Sequence, residues 1–296
     1  MISLIIQGPL NSRGFDAVEN VKKLVHTFSK QPQLDKIIIS TWSANENYFD
    51  NNEKVVYLEN TAPNFKDFMN RYKQFISVYN AALYVKNNVG SKYLLKLRSD
   101  QFINPDILAY TIAYLDNSDY QNESSSVQEN YIITSHSYNC LPYFIGDFYF
   151  GGTVNDILRF TGTYAKYQNF CHQWLPEVDI TLKYLYEFKT ETSLHLFNIR
   201  DRGDISTHEL QTWVNNYTKI FSIFPQRFFD SLLWRGKPYC NDKHDYLEEW
   251  TKLKEVPEQY IWHSHKSKYT LRQRARDIYD YFKRRIYFKR FKQSIN

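Results

Sequence analysis

What most constrains this chain is a series of short apolar runs, each closing on polar or glycine residues. The first, Ile2 to Ile6, is almost wholly β-branched or leucine and stops at Gln7-Gly8-Pro9, the pattern of a buried parallel strand followed by a breaker. Lys36 to Thr41, Lys54 to Leu58 and Tyr93 to Leu97 read as three more strands. Between them, Asp16 to Ser29 places Val18, Val21, Leu24, Val25 and Phe28 on one helical face. Asn64 to Lys86 is helical in period and is followed by Gly90 as a stop. The order strand, helix, strand, strand, helix, strand predicts an α/β chain with a Rossmann-type sheet flanked by helices. In such sheets ligands bind outside the carboxyl ends of the strands.

The rest is less regular. A helix is expected from Pro105 to Leu115, a polar loop from Asn117 to Gln128 and a strand from Tyr131 to Ser135. Pro142 to Gly152 is an aromatic segment broken by glycines, followed by a helix through Ile157 and Phe160. The remainder to about Ile261 reads as mostly helical, with a strand candidate at Leu194 to Ile199. With no repeat, low-complexity tract or clear linker, one domain over 1–265 is the simplest account. Its nucleotide-binding half would be about 1–105 and its acceptor half about 106–265.

At 296 residues the chain can bury a sizeable core, and 43% hydrophobic with 23% charged residues excludes a disordered or fibrous class. Tyrosine (25) and phenylalanine (21) are abundant, which suits sugar stacking as well as core packing. Cys140, Cys171 and Cys240 lack the spacing of a zinc site, and a disulfide framework is not expected. The N-terminus has no basic leader, and no window of about 18 apolar residues could span a bilayer, so a cytoplasmic protein is expected.

Net charge is +5, concentrated near the end. From Leu271 onward nine lysines and arginines face only Asp277 and Asp280, interleaved with aromatics such as Tyr281, Phe282 and Phe288. Residues 266–296 therefore read as a basic amphipathic helix lying on an anionic membrane surface; a packed helix or a nucleic-acid arm are the other readings. The favoured one involves no nucleic acid.

Several residues could carry chemistry. Asp100, at the mouth of a buried strand, could hold Mg²⁺ or Mn²⁺ against a diphosphate, or a ribose hydroxyl. Arg98 beside it could face phosphate; the plainer alternative is that the two pair with each other at a helix start. Gln7, Gly8 and Pro9 lie at the same edge, where glycine lets backbone approach a base or ribose. Asn70 and Arg71 fall on the long helix, where an arginine could reach phosphate; a plain surface arginine is the commoner case. Asp147 sits in an apolar, aromatic stretch that would raise its pKa and suit it as a general base, with Glu177 the rival. His263 could be a single metal ligand and Lys266 a phosphate contact.

Taken in order, these segments resemble the WavE-type lipopolysaccharide-synthesis family of bacterial glycosyltransferases. The resemblance rests on Ile6-Gln7-Gly8-Pro9, Ser40-Thr41-Trp42, Asn70-Arg71, Lys96-Leu97-Arg98-Ser99-Asp100 and Asp147 with Phe150-Gly151, plus Glu177 in Leu-Pro-Glu. It implies a GT-A-like fold, a nucleotide-sugar donor contacted also by Trp42 and Lys96, and a lipopolysaccharide or capsule acceptor, glycan or glycolipid. Two departures stand out: the pattern Asn-Arg-Gln becomes Asn70-Arg71-Tyr72-Lys73-Gln74, and the Asp-X-Asp metal motif has Arg98 in its first place. The expected reaction is transfer with inversion, Asp147 or Glu177 taking the acceptor proton. A nucleotidyl- or phosphotransferase and a non-catalytic sugar-binding assembly protein are the alternatives.

Overall fold

A computed structural model describes residues 1–12, 14–42, 52–65, 67, 70–122, 132–136, 145–166, 176–187 and 220–239. The central strand β1 (Ile2–Gln7) is buried along its whole length, which explains its unbroken apolar sequence. A small hairpin, β2 (Asn11–Ser12) and β3 (Phe15–Asp16), leads into α1 (Ala17–Phe28), capped by the Asp16 carboxylate, which accepts from the Glu19 N–H. Then come β4 (Leu34–Thr41), β5 (Val55–Glu59), α2 (Arg71–Asn88) and β6 (Tyr93–Arg98). The order read from the first hundred residues is thus the order observed.

The chain continues through β7 (Gln101–Phe102), α3 (Ile107–Asn122), β8 (Ile132–Thr134), β9 (Phe150–Thr153), α4 (Val154–Lys166) and α5 (Pro176–Glu187). It closes with β10 (Phe221–Ile223), α6 (Gln226–Asp230), β11 (Leu233–Trp234) and β12 (Lys237–Pro238). Seven strands form one mixed sheet in the order β10-β8-β9-β6-β1-β4-β5. Only β9 runs against its neighbours. A second sheet, β12-β11-β7, stands at the end of β6.

Alternation along the strands divides the core. Ile2, Leu4 and Ile6 face α1 and α3, meeting Val21, Leu24, Phe28 and Ile107. Ile5, Ile38 and Leu94 face α2, α4 and α5, meeting Phe75, Val78, Phe160 and Tyr184. Helices therefore cover both faces, the layered architecture expected of a Rossmann-type, GT-A-like sheet. Among the described residues no helix is long and apolar enough to cross a membrane.

Three boundaries differ from the sequence reading. α2 starts at Arg71 and not Asn64, because Asn70 adopts a left-handed conformation (φ 54°) and the Asp67 carboxylate accepts the Tyr72 and Lys73 N–H groups, both at 2.8 Å. α3 continues through Asn122, into the stretch read as a polar loop; polarity alone does not stop a helix, and no glycine or proline does so there. The region read as mostly helical contains β10 to β12, strands of two or three residues, too short for alternation to register. The strand candidate at Leu194 to Ile199 lies outside the described residues.

Candidate active site

The carboxyl ends of β4, β1 and β6 lie side by side, with Gln7 paired to Ser40 on one side and Arg98 on the other. The chain runs outward from β1 to β4 and β5, then returns through α2 to β6 on β1's opposite flank. That reversal is a topological switch point, the place where an open α/β sheet offers a crevice. Because β9 is antiparallel, the segment entering it, with Asp147 and Phe148, reaches the same edge.

Gly8 fits this edge for a reason other than ligand approach. Its φ is 137°, and a Cβ there would stand 2.6 Å from Ser99 Oγ. Ser99 itself donates its hydroxyl to the Pro9 carbonyl at 2.9 Å and its N–H to the Gln7 carbonyl at 2.9 Å. From α1, the Asn20 amide bonds the carbonyls of Ser99 and Gln101, both at 2.9 Å, fixing the turn after β6.

That turn presents a charged cluster. Arg98 grips Asp100 through Nε to Oδ1 at 3.0 Å and Nη2 to Oδ2 at 3.2 Å, and reaches Asp147 Oδ2 through Nη1 at 3.2 Å. The Gln74 amide donates to the same Asp147 oxygen, and Lys96 Nζ to the Asp147 backbone carbonyl. Asp100 Oδ2 also accepts from Trp234 Nε1 at 3.0 Å and Arg235 Nε at 3.4 Å, while the Arg235 N–H bonds the Asp100 carbonyl at 2.8 Å. The Arg98 guanidinium lies over the Phe148 ring at 5.8 Å.

Burial sharpens the electrostatics. Desolvation alone would raise the Asp100 carboxyl, but the Arg98 guanidinium, with Trp234 and Arg235, outweighs it and holds the group below the usual carboxylate range. Arg98 is raised by Asp147 and Asp100 against the opposing effect of its own burial. Lys96, buried against Phe150, is pulled down to about 8 by desolvation, with the Asp147 charge opposing.

The structure brings Gln7, Gly8, Pro9, Lys96, Arg98, Asp100 and Asp147 to one edge. Arg98 and Asp100 do pair, as the plainer reading had it, but in a strand-to-strand turn and not at a helix start. The apolar surroundings expected for Asp147 are corrected: its carboxylate is buried against a guanidinium and an amide. Trp42 is half-buried, with Lys73 Nζ 5.7 Å from its ring centre. Asn70 is exposed just before α2 and Arg71 is the helix's first residue, so neither is mid-helix. Glu177, on α5, is half-buried and acts electrostatically on Lys96. His263, Lys266 and the basic tail lie outside the described residues.

Four residues escaped the sequence reading as site members: Gln74, Asn60, Trp234 and Arg235. In sequence, Gln74 is only a displaced match to the family's Asn-Arg-Gln pattern. Buried Asn60 bonds Ser40 Oγ at 2.8 Å, the Thr41 carbonyl at 2.9 Å and Asn80 at 2.9 Å, bracing the ends of β4 and β5. For the last two the signal was faint: Gly236 marks a turn, but the strands beside it are two residues each, too short to register.

The profile of the WavE lipopolysaccharide synthesis family matches residues 2–219. The chain belongs to this family. No curated protein matches it. Among solved structures, it resembles 4-diphosphocytidyl-2C-methyl-D-erythritol synthase from Anaerococcus prevotii (11% identity, TM-score 0.37, covering 76% of this chain and 88% of that one). It also resembles a glycosyltransferase involved in glycosylation of the major capsid of PBCV-1 (9% identity, TM-score 0.38, 76% and 82%). HddC from Yersinia pseudotuberculosis is a third (13% identity, TM-score 0.30, 53% and 78%). Likenesses this distant say nothing of activity. WavE membership ties the chain to lipopolysaccharide synthesis, and the charged cluster falls within the matched residues except for Trp234 and Arg235.

Proposed function

We propose that this WavE protein is an inverting glycosyltransferase that moves a sugar from a nucleotide-sugar donor to a hydroxyl of a lipopolysaccharide or capsular polysaccharide acceptor. The observation that carries this reading is the buried Asp147 carboxylate, held by Arg98 and Gln74 at the switch-point edge beside Gln7 and Pro9. The donor nucleotide lies along Gln7 to Pro9 toward Trp42, with Asn70 and Arg71 on its flank.

The acceptor oxygen attacks the anomeric carbon as the bond from that carbon to the donor's phosphate oxygen breaks. Asp147 takes the acceptor proton, and the positive charge of Arg98 and Arg71 stabilises the departing phosphate. Both hydrogen bonds to the Asp147 carboxylate fall on Oδ2, which leaves Oδ1 to face the acceptor. Glu177, on α5, is the rival candidate base. The basic, aromatic-rich segment 266–296 brings the enzyme, from the cytoplasmic side, to the anionic inner membrane where a lipid-linked acceptor resides.

The test is sugar transfer to isolated lipid-linked acceptor from UDP-, GDP-, CMP- and dTDP-sugars, with the product's anomeric configuration read by NMR. Transfer with inversion is expected. Product of retained configuration would remove the single-displacement scheme, and failure with every donor would remove the transferase reading.

A further inference from the structure

The place of Asp100 at the mouth of a buried strand suggests a seat for a divalent cation, and the residues around its carboxylate do not fit one. A carboxylate offers about four lone-pair sites. In Asp100, Oδ2 accepts from Arg98 Nη2, Trp234 Nε1 and, at 3.4 Å, Arg235 Nε, and Oδ1 accepts from Arg98 Nε, so a single lone pair on Oδ1 is all that is left for a cation. A cation bound there would have to break the bidentate Arg98 pair and then sit beside two guanidinium charges. Among the described residues, no group of three or more His, Cys, Asp or Glu side chains is placed to supply other ligands.

The geometry points instead to Arg98 and Arg235 as the paired cations that receive the donor's phosphate groups, so that nucleotide binding and leaving-group stabilisation proceed without a divalent metal. This rests on the glycosyltransferase reading and adds Arg235 to it. Arg235 occupies a costly position: with φ of 52°, followed by Gly236 at 75°, it is the first of two positive-φ residues turning β11 into β12. Such turns favour asparagine, aspartate or glycine at that place. An arginine there sacrifices turn stability for what its side chain does.

That side chain is 46% exposed and stacks over the Trp234 ring at 5.1 Å. Its guanidinium spends one N–H on Asp100, at 3.4 Å, and Arg98 spends three of its five. The remaining donors can take phosphate oxygens without disturbing the Asp100 pair. Asp100 is then a positioning residue, holding both guanidiniums at the edge, and Trp234 fixes the hairpin through the same carboxylate.

Calorimetric titration of the full-length protein with UDP, GDP, dTDP and CMP, in EDTA and in Mg²⁺, tests this. Wild type should bind at least one nucleotide with affinities in the two buffers that agree within about threefold. Arg235→Gly should bind it at least about tenfold more weakly in both buffers, while its melting temperature is unchanged or higher, because glycine suits the turn. Arg235→Lys, which keeps the charge and loses the fork, should fall between the two. Nucleotide binding seen in Mg²⁺ but not in EDTA, or an Arg235→Gly affinity equal to wild type, would overturn the inference alone. If wild type binds no nucleotide in either buffer, the transferase reading falls with it.

Discussion

Asp147 is where one side chain decides most. Asparagine keeps its size and can still accept from Arg98 and Gln74, but it cannot hold the acceptor's proton. Asp147→Asn should lower transfer by roughly 10² to 10⁴-fold with nucleotide affinity nearly unchanged, read by steady-state rates beside titration. An equal loss for Glu177→Gln and none here would move the base to α5. Lys96 gives a second test at this scale, through pH. Its folded-state pKa is depressed to about 8 from an ordinary 10.5, so between those values the unfolded chain holds the proton and the folded chain releases it. The contribution of this lysine to stability therefore rises from pH 8 toward 10.5 and is lost as pH falls through 8. Lys96→Met removes that slope. Compared with the variant, wild type should gain on the order of a few kcal/mol across the window, measured by urea unfolding at each pH. Sequence alone could find Arg98 and Asp100, because polar residues directly after an apolar run have no place in a core. It could not find Arg235 as their partner, which comes from far along the chain, nor foresee that Asp147 sits among charges, since its sequence neighbours are aromatic and its neighbours in space are not.

At the scale of elements, the start of α2 matters most to the site, because Gln74 reaches Asp147 from its first turn. Two N–H groups of that turn are satisfied by Asp67, which lies outside the helix. Asp67→Ala should cost about 1 kcal/mol of stability and also weaken transfer, since Gln74 loses its fixed base. Unfolding midpoints and rates measured on the same preparation check both, and a stability loss with no rate effect would separate the cap from the site. Helix packing supplies another test. A Cβ on Gly162 of α4 would meet the Tyr79 ring of α2 at 2.9 Å, so Gly162→Ala should destabilise by about 1 to 3 kcal/mol, read from the same unfolding curves. Long strands and strongly periodic helices were legible because period 2 and period 3.6 repeat several times in each. The start of α2 was not, because its cap is a carboxylate supplied from outside and its turn-out is a left-handed asparagine, neither of which disturbs the apolar period that continues upstream.

For the whole molecule, the distribution of charge predicts where it works. Nine basic residues against two acidic ones after Leu271, interleaved with aromatics, should hold the protein on anionic liposomes. A truncation ending at Thr270 should not sediment with them, and raised salt should weaken the full-length association without abolishing it, because buried rings are not screened. Equal sedimentation of the two proteins would return the tail to a packed helix.

The position of β1 has a consequence for how the molecule is made. It is the first of the seven strands to leave the ribosome, yet it ends in the middle of the sheet, and its second neighbour, β6, is not complete until Arg98 has been added. At about 5 to 20 residues per second, one edge of an apolar strand stays unpaired for on the order of ten seconds. Both neighbours join it in parallel through long crossovers, the slow kind of pairing to close. Newly made chains should therefore depend on chaperone shielding of their first strand far more than refolding of the finished protein would suggest.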